Sequence, residues 1–366
     1  MLADVFCRVI DNYGDIGVCW RLARQLRREH GWQVRLWVDD LRAAARLVPG
    51  VDERLARQQA DGVEIVHWTR PAPPLSPGDV AIEAFACDPP AEFVQQMGDR
   101  VRPPVWINLE YLSAEAWVEN CHALPSPQPG GLRKYFFFPG FTPATGGLLR
   151  ERTLLAERDA LQADPVGRAA FLLHAGVREL RPGERLATLF CYPDAQASLL
   201  ADVLAAQPVP TLLAIPPGVA PYLSDGARGA LRIVRIPFLA QPDYDRLLWC
   251  ADLNFVRGED SFVRAQWAGR PMVWHIYPQA GAAHVDKLQA WLDRYPCPPC
   301  AGALQTAWNG DAEAARLPEL LAQAFEAGTL AEWKAQALAW SDSLGRQPDL
   351  AANLAAFCLA LQENHR

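Results

Sequence analysis

Two carboxylates, Asp11 and Asp15, share a loop with Gly14 and Gly17 directly behind a short apolar run, Val5 to Ile10. The glycines permit a tight turn and close backbone approach. An amphipathic helix follows at once, and its dipole favours an ionised Asp15. An ionised carboxylate facing a ligand is a competent general base. The same residues admit a structural reading, with Asp15 capping the helix and Asp11 shaping the turn. The segment is a poor dinucleotide fingerprint. It has G-x-x-G without the full G-x-G-x-x-G, and an aspartate would approach the pyrophosphate.

A second polar cluster lies at Arg257-Gly-Glu259-Asp260-Ser261, between a strand-like run and a helix ending in Gly269-Arg-Pro271. Backbone amides around Ser261 can hold a diphosphate, and Arg257 can add a charge-assisted contact. Glu259 or Asp260 can accept hydrogen bonds from sugar hydroxyls. The layout resembles the donor half of GT-B glycosyltransferases. An ordinary helix capped by Asp260 or Ser261 is the alternative. A third cluster is Phe190-Cys-Tyr192, again at a strand end, where an aromatic ring can stack on a nucleobase or belong to the core. Phe238, Gln241 and Tyr244 fall in a loop after another strand and can contact a base.

Strand and helix signals alternate on both sides of these clusters. Strands are expected at Gln33–Val38, Val63–Trp68, Asp79–Phe85 and Val105–Leu109, and again at Arg185–Tyr192, Thr211–Ile215, Leu231–Ile236, Leu253–Val256 and Met272–His275. Such alternation implies parallel sheets covered by helices. The expected fold is α/β: two Rossmann-like domains facing each other across a central cleft. They divide as residues 1–165 and 166–366, with the last helices free to pack back on the first domain. In open α/β sheets, ligands bind beyond the carboxyl ends of the strands, where all three clusters fall.

Composition narrows the class. The 366 residues are half apolar and carry a net charge of −7, which argues against a nucleic-acid surface or an anionic membrane. No apolar run is long enough to span a bilayer, and no signal peptide is evident. Nine scattered cysteines suit reduced thiols and a cytoplasmic setting. Cys297-Pro-Pro-Cys300 is a single C-x-x-C without further ligands, and the seven histidines show no metal spacing, so no metal is expected. The set Arg21, Arg24, Arg27 and Arg28 reads as a solvated helix face. Asn108-Leu-Glu110-Tyr111 ends a strand and can line the cleft or cap a turn before Ser113.

Residues 11–26, Asp-Asn-Tyr-Gly-Asp-Ile-Gly-Val-Cys-Trp-Arg-Leu-Ala-Arg-Gln-Leu, resemble the N-terminal signature of bacterial protein-arginine rhamnosyltransferases, the EarP family, which modify translation elongation factor P. Phe190-Cys-Tyr192, Gln241, Arg257-Gly-Glu-Asp-Ser261 and Asn108-Leu-Glu-Tyr-Leu112 extend the resemblance over essentially the whole chain. It implies a GT-B fold and an inverting, metal-independent transfer of rhamnose from dTDP-β-L-rhamnose to one arginine of elongation factor P, activating it to rescue ribosomes stalled at polyproline. No cofactor beyond the donor is implied. Asp15 would be the general base, with Asp11 and Glu259 as further required carboxylates. Phe190, Tyr192, Gln241, Arg257, Asp260 and Ser261 would hold the donor, with Phe238 and Tyr244 at the base. Asn12, Tyr13, Gly14 and Gly17 would line the acceptor side of the cleft, in the N-terminal domain. A GT-B transferase for a small molecule or lipid, and a non-catalytic nucleotide-sugar-binding protein, are the competing readings. A dehydrogenase is weakened by the missing fingerprint.

Overall fold

The computed structural model describes residues 1–11, 13–177, 180–278, 283–310 and 314–364. The chain forms two compact units, one made of Met1–Arg152 with the C-terminal stretch from Gln347, the other of Thr153–Arg346.

The first unit holds an eight-stranded sheet built from β1 (Leu2–Cys7), β2 (Gln33–Val38), β3 (Arg57–Ala60), β4 (Val63–His67), β5 (Val80–Ala84), β6 (Val105–Leu109), β7 (Pro125–Pro127) and β8 (Arg133–Phe137). Their order is β3-β4-β2-β1-β5-β6-β8-β7, parallel except where β3 and β7 add antiparallel edges. β1 is covered on both faces, so Ala3, Val5, Phe6 and Cys7 are wholly buried. Asp4, equally buried in that strand, is satisfied by Arg35 Nε (2.6 Å), Arg35 Nη2 (2.7 Å), Trp37 Nε1 (2.8 Å) and the Gly78 amide (2.8 Å). β1 stops at Cys7, three residues before the expected Ile10, which leaves Arg8–Ile10 in the loop ahead of helix α1 (Gly14–His30). α1 ends at Gly31, whose left-handed φ of 69° suits a residue without Cβ.

The second sheet comprises β9 (Arg185–Leu189), β10 (Thr211–Ile215), β11 (Gly226–Arg228), β12 (Leu231–Arg235), β13 (Leu253–Arg257) and β14 (Met272–His275). Their order is β11-β12-β10-β9-β13-β14, parallel apart from the β11 edge. In each sheet the strand order reverses beside its first strand, at β1/β5 and at β9/β13. These are the switch points where open α/β sheets bind ligands.

Two expectations need correction. The helix Leu154–Ala163 belongs to the second unit, so the division falls at residue 152 and not 165. Polar anchoring explains this: buried Arg158 donates to the Trp267 carbonyl (3.1 Å) and Ser341 Oγ (2.7 Å), and Gln162 Nε2 donates to the Trp249 (3.1 Å) and Ala268 (2.9 Å) carbonyls. The arginines of α1 are also not a uniformly solvated face. Arg24 and Arg28 pair with Asp61 at the surface, but Arg21 is only 2 % exposed and lies 3.6 Å from Glu151. Helix Leu350–Asn364 packs on α1 and brings Asp349 within 2.9 Å of Gln25 Nε2, which also donates to the Arg150 carbonyl at 2.8 Å. No helix among the described residues is long and apolar enough to cross a membrane.

Candidate active site

At the β1/β5 switch point the loop after β1 turns straight into α1. Gly14 donates its amide to the Asp11 carbonyl (2.6 Å), and Gly17 donates to the Tyr13 carbonyl (2.9 Å). A Cβ at Gly14 would come within 2.9 Å of Asp11 Oδ2, so the turn is closed to larger residues without rearrangement. Asp15 lies in the first turn of α1 and is 3 % exposed. It does not cap its own helix. Its Oδ2 accepts the Ile10 (2.8 Å) and Asp11 (2.9 Å) amides, and its Oδ1 accepts the Tyr111 hydroxyl at 3.3 Å. Asn12 lies outside the described residues. The Tyr13 hydroxyl accepts from Arg46 Nη1 at 3.0 Å.

The ends of β5 and β6 complete this end of the sheet. Tyr111, just past β6, stacks on Phe85 with centroids 4.2 Å apart and planes at 12°. Phe85, Ala86 and Asp88 have φ of 59°, 52° and 50°, a left-handed run at non-glycine residues that costs backbone energy and is concentrated at functional loops. Asn108 Oδ1 accepts the Ala86 amide (3.1 Å), and Asn108 Nδ2 donates to Glu110 Oε1 (2.6 Å), which fixes that loop against β6. Burial raises the pKa of Asp15, and the charge of Asp11 adds to the rise. The two backbone amides and Tyr111 oppose it. A carboxylate with raised proton affinity, still held in one orientation, suits proton abstraction.

The β9/β13 switch point is organised around a cation. The Arg257 guanidinium lies over the Phe190 ring (4.2 Å) and the Tyr192 ring (4.9 Å), and Nη1 donates to the Cys191 carbonyl at 3.0 Å. Ser261 is not a helix cap. Its hydroxyl accepts the Arg257 amide (3.1 Å) and donates to the Arg257 carbonyl, which pins the turn between β13 and helix Asp260–Ala268. Glu259 occupies the N-cap position, but its side chain does not cap the helix, nor does Asp260 hold that place. Asp260 Oδ2 accepts from Gln241 Nε2 at 3.3 Å. Gln241 and Tyr244 lie in the first turn of helix Gln241–Cys250. Tyr244 meets Phe190 edge-on at 5.9 Å, and burial raises the pKa of its hydroxyl. Phe238 is 42 % exposed on the loop before that helix.

One contributor was invisible in the sequence. His275, the last residue of β14, accepts the Tyr192 amide at Nδ1 (3.2 Å) and packs against the Tyr192 ring. A lone histidine at the end of an apolar strand carries no spacing signal, and only the pairing of β14 with β13 places it here. Cys297 and Cys300 are free thiols, and burial pushes Cys297 up to about 11. Among the described residues no three His, Cys, Asp or Glu side chains gather as a metal-ligand set.

The profile of the family described as "Elongation-Factor P (EF-P) rhamnosyltransferase EarP" matches residues 3–359. The chain belongs to the EarP family. A protein-arginine rhamnosyltransferase of Pseudomonas putida (strain KT2440) is 50 % identical over 375 residues, covering 97 % of each chain. A solved EarP structure, described as the structural basis for EarP-mediated arginine glycosylation of translation elongation factor EF-P, superposes with a TM-score of 0.65. It is 35 % identical and is matched over 97 % of this chain and 98 % of its own. The UDP complex of TcCGT1 superposes with a TM-score of 0.57 at 10 % identity, over 100 % of this chain and 99 % of that one. Its likeness, with that of EarP, makes the fold class GT-B.

Proposed function

We propose that this EarP-family chain transfers L-rhamnose from dTDP-β-L-rhamnose to one arginine side chain of translation elongation factor P, in the cytoplasm and with inversion at the anomeric carbon. The observation that carries the reading is Asp15: a buried, amide-held carboxylate with raised proton affinity at a ligand-binding strand end. A guanidinium has a pKa above about 12 and is a poor nucleophile until a proton is taken from it. Asp15 is the group proposed to take that proton as the C–N bond forms and the C–O bond to the diphosphate breaks. Asp11 or Glu259 is assigned to localising the cation. The relatives' activity on protein arginine supports the acceptor class.

The reading gives the donor to the second unit. Arg257 and the first amides of helix Asp260–Ala268 take up charge on the departing dTDP, a task then done by the chain's own groups and not by a divalent ion. Phe190, Tyr192, Phe238, Gln241 and Tyr244 are assigned to the nucleoside, and Asp260 and Ser261 to the sugar–diphosphate. Asn12, Tyr13, Gly14 and Gly17 are assigned to the acceptor.

The test is intact-mass spectrometry of elongation factor P after incubation with the protein and dTDP-L-rhamnose. One added deoxyhexose, mapping to a single arginine, is expected. No addition by a chain that still binds dTDP would overturn the acceptor or sugar assignment. Retention at the anomeric carbon, read by NMR of the product, would overturn the inverting mechanism.

A further inference from the structure

His275 is surrounded by the groups that organise the donor end of the second sheet. Its Nδ1 accepts the Tyr192 amide at 3.2 Å, so the proton of the neutral ring sits on Nε2, 3.7 Å from Asp194 Oδ1 in the loop after β9. Its ring meets Tyr192 edge-on at 5.2 Å, and Tyr192 meets Tyr277 in the same way at 5.5 Å. Trp308 closes the other side at 6.3 Å. β14 itself is fixed from behind. Gln305 accepts the Trp274 amide (2.8 Å) and donates to the Met272 carbonyl (2.6 Å), and Asn309 accepts the Ile276 amide (2.9 Å) and donates to the Trp274 carbonyl (2.6 Å).

The titratable and charged groups facing the ring are Arg257 at the end of β13, His284 in helix Ala283–Leu292 and Asp194. Burial pushes His275 down to about 4, with Arg257 and His284 adding to the fall and Asp194 opposing it. The ring is therefore neutral near pH 7, and its Nδ1 lone pair remains an acceptor. A protonated ring would lose that acceptor and set a second cation beside Arg257.

We propose that His275 is a positioning residue of the donor site: its Nδ1 fixes the Tyr192 backbone, and through it the Tyr192 ring and Cys191 carbonyl against which Arg257 is held for the diphosphate. This rests on the donor-site reading given above. The residue acts through Arg257 and Tyr192 and is not itself assigned a contact with the donor. It keeps a binding group within the narrow geometry that group needs.

The test compares the full chain with H275N, H275Q and H275F by dTDP titration, by KM and kcat for the donor, and by hydrogen exchange at the Tyr192 amide. Asparagine Oδ1 can take the place of imidazole Nδ1, whereas glutamine and phenylalanine offer no acceptor there. H275Q and H275F are expected to raise Kd for dTDP and KM for the donor roughly tenfold with kcat within about twofold, and H275N to stay within about threefold of the natural chain. Tyr192 amide exchange should quicken only in H275Q and H275F. Equal affinity and exchange in all four chains would overturn the proposal. So would a loss common to all three variants that simply follows a lowered Tm, which would make His275 a packing residue. If the natural chain itself binds no dTDP, the donor-site reading falls and this proposal with it, an outcome told apart by the unmutated arm alone.

Discussion

The two units share the order of their first six strands and the same kind of switch point, and they place opposite charge there. At β1/β5 a buried aspartate is held by two backbone amides and a phenol. At β9/β13 an arginine is held by two aromatic faces and a carbonyl. The difference lies in what each support does to the ionisable group. Burial makes Asp15 keep a proton more readily, so its support acts on proton affinity. Rings and a carbonyl leave a guanidinium permanently charged and fix only where it points. One topology thus yields a group suited to moving a proton and a group suited to holding an anion.

The comparison breaks most visibly at Asp15. Asp15→Asn should lower kcat by about 10²–10⁴-fold with the Kd for dTDP unchanged, checked by steady-state kinetics and calorimetry. The same variant should be more stable than the natural chain near neutral pH. The sign follows from the raised folded pKa: the unfolded chain ionises near 3.8 and the folded one only at higher pH, so the natural chain loses stability as pH rises between the two. The Tm advantage of the variant should therefore shrink as pH falls through that window. A variant of near-normal turnover would remove Asp15 from the chemistry.

A smaller effect is expected at Arg257. Arg257→Lys keeps the charge but loses the planar group that lies over Phe190 and Tyr192, so Kd for dTDP should rise roughly tenfold with kcat little changed. Full rescue by lysine would show that charge alone matters there, and the contrast between the two sites would narrow. The smallest effect belongs to Tyr111→Phe. The Tyr111 hydroxyl bond lowers the proton affinity of Asp15, so its removal should move the acid limb of the pH–kcat/KM profile to higher pH. Activity at pH 8 should change by less than about threefold. A shift to lower pH would contradict the assigned direction.

Much of this was legible from local pattern. β2, β6, β10 and β14 fall on the residues expected of them, because strands largely buried on both faces read as runs rich in apolar residues. Asp11, Asp15 and Arg257 stood out because polar residues at strand ends are conspicuous there. What escaped depended on distant chain. β8 was hidden in the aromatic run around Tyr135–Phe138, which becomes a strand because β6 offers it an edge. Arg21 looked like a solvent-facing arginine because Glu151, the carboxylate beside it, comes from far along the chain. Ser261 and Asp15 are both of the cap-forming kind, and nothing local says that they bond backward to the preceding loop and strand instead.

The return of the last helix to α1 also has a consequence for how the protein is made. The helix that carries Asp15 has its Gln25 amide satisfied in part by Asp349, which follows the entire second unit in the chain. A ribosome adding about 5–20 residues per second needs on the order of ten to forty seconds to cross that unit. Throughout that interval the first unit has emerged without its closing piece, and Asp15 stands in the first turn of a helix whose inner face is still wet. Completion of the first unit is thereby tied to synthesis past residue 347, so a chain cut short before that point carries both polar clusters and lacks the buttress behind one of them.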